Sequence, residues 1–417
     1  MKRILAAVLG GILLLSPCLT CFALSPQPDV KSETAVLMDA KTGQILYDKN
    51  MNVQMYPAST TKIMTGLLAV EKGNLTDVIT MDKESIFSIG RGTSHIALDV
   101  GEQITLEQAL YAVSIESAND AANGVAVLLG GSMDNFAQMM NDRAKELGAK
   151  NTHFVNAHGL HNKDHYTTAY DLALIAKEAI KYDNFNKIFS TEKYTIPPTN
   201  KKKEVRSFYS QNWFLNGALK YDGMIMSKTG WTGEAGHTMV SVAQRGEISL
   251  IAVVMKSTAK ADKWDDTTAL MDWGFSQFKA VPLSGEFISL SAPEEIPCGD
   301  EGKLIIRRED ITAPDAKVLL YDDLSAKDVQ VDFANPVLSQ DLSQATMDAS
   351  MYVMKEGGSR YELGTTKATA NVSERKLTAI SHDIPENKLG DLFTVILFTL
   401  LSFIGVMISD VLLNKRI

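Results

Sequence analysis

The period of the apolar residues switches between two and about 3.6 along this chain, and that alternation most constrains what it can fold into. TAVLMDAKTGQILY, from Thr34, is two apolar runs around Asp39-Ala40-Lys41-Thr42-Gly43. It predicts a β-hairpin with Gly43 at positive φ and Lys41 pointing to solvent. From Ser59 the spacing turns helical: Ile63, Met64, Leu67, Leu68 and Val70 surround one buried helix, which Gly73-Asn74 stops. Helices are also predicted over Leu106–Val113, over Ala121–Leu129, along the stripe Phe136, Met140, Ala144 and Leu147, and over Tyr170–Ile180. HTMVSVAQ and ISLIAVVM then read as strands joined at Arg245-Gly246, and Met271, Phe275 and Phe278 mark a closing helix. Helices between an early hairpin and late strands make an α/β (α+β) domain, expected over residues 30–280. The short alternating runs EFISL, KLIIR, KVLLY, VQVDF and SMYVM predict a small β-rich domain over 281–380, followed by a linker over 381–391.

The two ends read as membrane-related. Lys2 and Arg3 precede an apolar stretch from Ile4 to Leu15, and Cys21-Phe22-Ala23 offers a cleavage site, so residues 1–23 are expected to be a secretory signal peptide. A lipoprotein leader fits less well, because Pro17 and Thr20 stand where small residues should precede the cysteine. Cys18 and Cys21 fall in that signal, which leaves Cys298 alone and the exported core without an internal disulfide. Leu392–Ser409 carries no charge, and as a helix it covers roughly 27 Å, near a bilayer's apolar thickness of about 30 Å. A transmembrane anchor is expected over 392–413, with Lys415 and Arg416 on the cytoplasmic side. The formal net charge of −9 argues against nucleic acid as a partner, and Lys201-Lys202-Lys203 reads as a solvated loop.

Three short clusters carry chemistry. Ser59-Thr60-Thr61-Lys62 sets a hydroxyl and an amine three positions apart on one helix face, where the lysine can take the hydroxyl proton if its pKa is lowered. Taken singly, Ser59 also reads as a plain helix cap. Ser117-Ala118-Asn119, between two predicted helices, offers a proton relay and an amide; taken singly it is a polar turn. Lys228-Thr229-Gly230, at the end of a predicted strand, offers positive charge, a hydroxyl and close backbone approach, which suits a substrate carboxylate lying antiparallel to a strand edge.

The order and spacing of these clusters, with YPASTTKIMT, SIESANDAA, HGLHNKDHYTTAYDLALIA and SKTGWTGEAGHTMVSVA around them, resemble the serine D-alanyl-D-alanine carboxypeptidases, the low-molecular-mass penicillin-binding proteins. The resemblance covers about Thr34 to Phe278. It implies the penicillin-binding/β-lactamase-like serine transpeptidase fold and no cofactor. It implies that Ser59 is acylated, that Lys62 is its base and that Ser117 relays a proton to the leaving D-alanine. It implies further that Asn119 contacts the substrate amide, that Lys228 and Thr229 clamp the terminal carboxylate, and that the backbone N–H groups of Ser59 and Trp231 form an oxyanion hole beside Gly230. The implied partners are the peptidoglycan stem peptide and β-lactams. The chain departs from the family in having Asn156-Ala157-His158-Gly159-Leu160 where a proline often stands second, Thr167-Thr168-Ala169 where Ser-Thr-Ala is common, and four residues, Met224 to Ser227, between Asp222-Gly223 and Lys228.

Other functions compete. His153, His158, His161 and His165 lie close in sequence, but no Cys or acidic partner at a recognised zinc spacing accompanies them; a polar loop fixed by His158 is expected. A β-lactamase-like hydrolase would need an additional carboxylate base for deacylation, and no motif announces one. A non-catalytic wall-binding or sensor protein would not need Ser59, Lys62, Ser117 and Lys228 together.

Overall fold

In this computed structural model the described residues are 26–283 apart from 91, and 295–297, 302–305, 311–312, 317–339, 343–354, 358–371 and 374–377. The expected signal peptide, Cys298, EFISL, the linker and the C-terminal anchor lie outside them. Among the described residues no helix is long and apolar enough to cross a membrane.

A five-stranded antiparallel sheet positions everything else. Its spatial order is Ile45–Lys49, Thr34–Asp39, Ile248–Ser257, Gly236–Arg245, Met224–Thr232. The predicted hairpin forms, with Gly43 at φ 83°. Its first strand also pairs with Ile248–Ser257, Val36 opposite Val253. Both faces of the central strands are buried, so they read as nearly continuous apolar runs. Val36, Met38, Ile251 and Val253 face the helical layer, whereas Leu37, Leu250, Ala252 and Val254 face the helix Asp262–Gln277. Met224–Thr232 lies at the end of the sheet order, next to the turn that carries Ser59.

The helical layer is built round Lys62–Lys72, whose residues 62 to 69 are all buried. The helices Leu106–Ile115, Asn119–Gly130, Met133–Glu146 and Ala169–Ala179 match the expected ones within a few residues. Their starts follow capping chemistry: Thr105 and Gln108 form a capping box, and Ser132 and Thr168 accept from the N–H groups of Asn135 and Asp171. Short elements went unpredicted because three to seven residues carry too little period: the helices Lys83–Phe87 and Asp183–Phe189, and the strand pairs Val78–Thr80 with Gln103–Thr105 and Lys193–Ile196 with Arg206–Tyr209.

The closing helix stops at Gln277, and Phe278 begins a strand, Phe278–Pro282, that pairs with Lys317–Tyr321. Beyond it, Val329–Leu338, Gln344–Met354 and Arg360–Asn371 form consecutive antiparallel strands over an apolar cluster that includes Val331, Met347, Met351 and Leu363. The Arg360–Asn371 strand is too polar to have been read from the sequence. The first Lys-Thr-Gly triplet forms the expected turn. Lys41 is exposed, but its Nζ donates to the Glu247 carbonyl. The next residue, Gln44, is buried and docks the β-rich part, donating to the Leu319 carbonyl at 2.8 Å and accepting from the Leu319 N–H at 3.2 Å.

Candidate active site

Ser59 lies in a 3-10 turn, Ala58–Thr61, that feeds the buried helix; it is not a helix cap. Three residues per turn still put Lys62 directly behind it. Ala58 takes φ 48°, a left-handed conformation that costs a non-glycine residue on the order of 1–3 kcal/mol. The turn is held from two sides. Thr238 Oγ1 on the neighbouring strand donates to the Pro57 carbonyl at 2.9 Å, and Thr60 Oγ1 donates to the same oxygen at 2.7 Å.

Lys62 is fully buried and its Nζ touches three groups: Asn119 Oδ1 at 2.7 Å, the His158 carbonyl at 2.8 Å and Ser59 Oγ at 3.1 Å. Two of these can only accept. A neutral amine therefore spends both N–H bonds on them and turns its lone pair toward the Ser59 hydroxyl. Burial, then the nearby Lys228 ammonium, hold the Lys62 pKa well below the ordinary lysine range, while Asp120 pulls it upward.

Ser117 precedes its helix at φ 55°, a second left-handed non-glycine residue beside the cleft. Asn119 is not in a loop as expected but is the first residue of the helix Asn119–Gly130, and it is buried. Lys228 sits within the strand Met224–Thr232 rather than at its end. Its buried Nζ donates to Ser117 Oγ at 3.2 Å and to the Thr229 carbonyl at 2.9 Å. Burial, then Lys263, bring its pKa down to about 7. Gly230 permits the closest approach: a Cβ there would lie 2.8 Å from Ser59 N and 2.4 Å from Thr238 Oγ1. Trp231 follows on the same edge, 63% exposed. Residues distant in sequence thus meet in one cleft.

Three supporting residues escaped the sequence reading. Asp120 is buried and accepts from the N–H groups of Ile96, Leu98 and Ala121 at 2.9 to 3.2 Å, pinning a loop whose Ser94 carbonyl accepts from Asn119 N–H. Its acidity at a helix start was the available signal. Gly159 takes φ 86° against the turn that carries Ser59, and Thr238 anchors that turn as above. The histidines make local structural contacts. His165 Nδ1 accepts from Val155 N–H, which leaves Nε2–H to donate to Thr61 Oγ1 at 2.9 Å; burial lowers its pKa to about 3. His158 Nδ1 accepts from Leu160 N–H, but its carbonyl matters more, since it orients Lys62.

The profile of the family described as D-alanyl-D-alanine carboxypeptidase matches residues 22–259. The chain is 38% identical over 292 residues to D-alanyl-D-alanine carboxypeptidase DacF of Bacillus subtilis, across 68% of this chain and 73% of that one. It is 33% identical over 292 residues to D-alanyl-D-alanine carboxypeptidase DacC of Escherichia coli, across 67% and 70%. Among solved structures, D-alanyl-D-alanine carboxypeptidase from Mycobacterium tuberculosis superposes with a TM-score of 0.56 at 29% identity, covering 61% of this chain and 95% of that one. Penicillin binding protein 6B from Escherichia coli superposes with a TM-score of 0.61 over 83% of this chain and 97% of that one; at 23% identity this is a likeness of fold. The fold is that of penicillin-binding DD-peptidases, with mixed α/β content.

Proposed function

We propose, from the premise that this chain belongs to the D-alanyl-D-alanine carboxypeptidase family, that its serine-type hydrolysis runs through an acyl-enzyme on Ser59. The observation that carries the assignment is Lys62 Nζ, buried, 3.1 Å from Ser59 Oγ, with its two other contacts, Asn119 Oδ1 and the His158 carbonyl, both acceptors. Neutral Lys62 takes the Ser59 proton as Oγ attacks the carbonyl between the two D-alanines. The developing oxyanion sits beside Gly230, facing the N–H groups of Ser59 and Trp231; losing one such donor typically costs ~3–4 kcal/mol of barrier stabilisation. Ser117, hydrogen-bonded to Lys228, passes a proton to the departing amine. Lys228 and Thr229 hold the terminal carboxylate. Asn119 orients Lys62 through its oxygen and presents its amide nitrogen to the substrate carbonyl. Water then cleaves the ester and releases the shortened stem peptide.

β-Lactams acylate Ser59 by the same attack. The carboxylate that acts on Lys62, Asp120, is buried and tied up by backbone N–H groups, which disfavours fast hydrolysis of that ester and hence a β-lactamase. The expected signal over 1–23 and the expected anchor over 392–413 support a reading in which the enzyme works outside the cytoplasm, tethered by its tail, where its wall substrate lies. The test is covalent labelling of the full chain by a fluorescent penicillin, with D-alanine release measured alongside. Wild type should label and release D-alanine; Ser59→Ala should do neither. A Ser59→Ala variant that labels as well as wild type would sink the assignment.

A further inference from the structure

Beside the nucleophile turn lies a pocket of about 250 Å³, lined by Gln54, Met55, Tyr56, Lys163, Tyr166, Glu234 and Lys256. Tyr56 stands three residues before Ser59, and Glu234 lies in the turn that follows the strand Met224–Thr232. Tyr56 is braced edge-on against His161, ring centroids 4.6 Å apart, and Tyr166 is fixed by a backbone bridge to His153. The charges are the informative part. Lys256 is committed to Glu33 at 2.8 Å. Lys163 and Glu234, of opposite sign, share the pocket, yet among the described residues neither has an ion-pair partner and they are not paired with each other.

The direction of the substrate decides what reaches this place. A peptide with its carboxylate at Lys228 and Thr229 and its reacting carbonyl at Ser59 lies antiparallel to the edge strand. Its upstream residues therefore run past Trp231 and Thr232, advancing about 3.4 Å per residue, toward Glu234. We infer that this pocket takes the side chain of the residue immediately before the two D-alanines, and that it fits a long side chain ending in both an ammonium and a carboxylate. Glu234 meets the ammonium, Lys163 the carboxylate, and the two tyrosine rings flank the methylene stem. The inference rests on the catalytic assignment above, because that assignment fixes the direction of the peptide.

The experiment uses the full chain in detergent and three peptides identical except before D-Ala-D-Ala, where they carry meso-diaminopimelate, lysine or alanine. In wild type, kcat/KM for D-alanine release should rank in that order. Glu234→Gln should lower the diaminopimelate-to-alanine and lysine-to-alanine ratios by about fivefold each, the effect of an exposed ion pair. Lys163→Gln should lower the diaminopimelate-to-lysine ratio. Ratios that stay fixed in both variants, or a wild type indifferent to the three peptides, would overturn the pocket's role. D-Alanine release surviving Ser59→Ala would instead overturn the catalytic assignment, so the two failures are distinct.

Discussion

Gly159→Ala should cripple acylation without unfolding the protein. Gly159 sits at φ 86°, where an alanine costs roughly 1–2 kcal/mol. The larger effect is steric. A Cβ built there falls 1.8 Å from the Ala58 carbonyl oxygen and 2.4 Å from its carbon, whereas real Cβ contacts begin near 3.0 Å. Relief therefore requires a shift of about 1.2 Å, the difference between the 3.0 Å limit and the 1.8 Å approach to the oxygen. The atoms in the way are backbone, and the next residue is Ser59. A misplacement of about 1 Å at a reacting group can cost ~100-fold in rate. The control is Gly148→Ala: φ is 80°, but the nearest atom, Leu174 Cδ1, is 4.0 Å from the added Cβ. It carries the same backbone penalty with no clash. Stopped-flow acylation by a reporter penicillin, paired with thermal unfolding, separates the two. Both variants should lose stability from φ, Gly159→Ala more because of its clash, and only Gly159→Ala should lose on the order of 100-fold in acylation. If folded Gly159→Ala acylates within about threefold of wild type, or Gly148→Ala slows as much, the turn that carries Ser59 does not depend on this contact.

Asp120→Asn removes the anion that raises the Lys62 pKa, so the neutral base persists to lower pH and the rising limb of acylation moves toward acid; an unmoved pH profile would refute the coupling. It also exchanges an acceptor for a donor against backbone N–H groups, a loss of about 1–3 kcal/mol in stability measurable by denaturant unfolding. Lys228→Met should stop D-alanine release yet stabilise the fold at neutral pH. Its folded pKa of about 7 lies below the ordinary 10.5, so the folded state sheds the proton first and wild-type stability climbs between those values. The advantage of the variant should be full below the lower value and shrink toward the upper one in unfolding curves taken across that range; a constant advantage would contradict the shift. Gln44→Ala leaves the buried N–H and carbonyl of Leu319 without the Gln44 side chain, costing about 1–3 kcal/mol, measurable by denaturant unfolding with penicillin acylation retained.

What the sequence determined was whatever a few neighbouring residues decide among themselves. The helix stripes from Ile63 to Ile180, the hairpin turn at Gly43 and the strands from Gly236 to Ser257 are set by period, capping and turn chemistry, and all form. The Ser59–Lys62 spacing was legible because one turn of helix, 3-10 or α, brings both to one side. Tertiary structure decided what depends on encounters between remote segments. Nothing local announces that Thr34–Asp39 will pair with Ile248–Ser257, that Gln44 will hold Leu319, or that the His158 carbonyl will aim the Lys62 amine. Asp120 and Gly159 look like ordinary members of a helix start and a loop until the backbone groups they face are known. Hydrophobic period fixes which residues go inside, but a buried amine acquires its pKa and direction only from the acceptors that the completed fold closes around it.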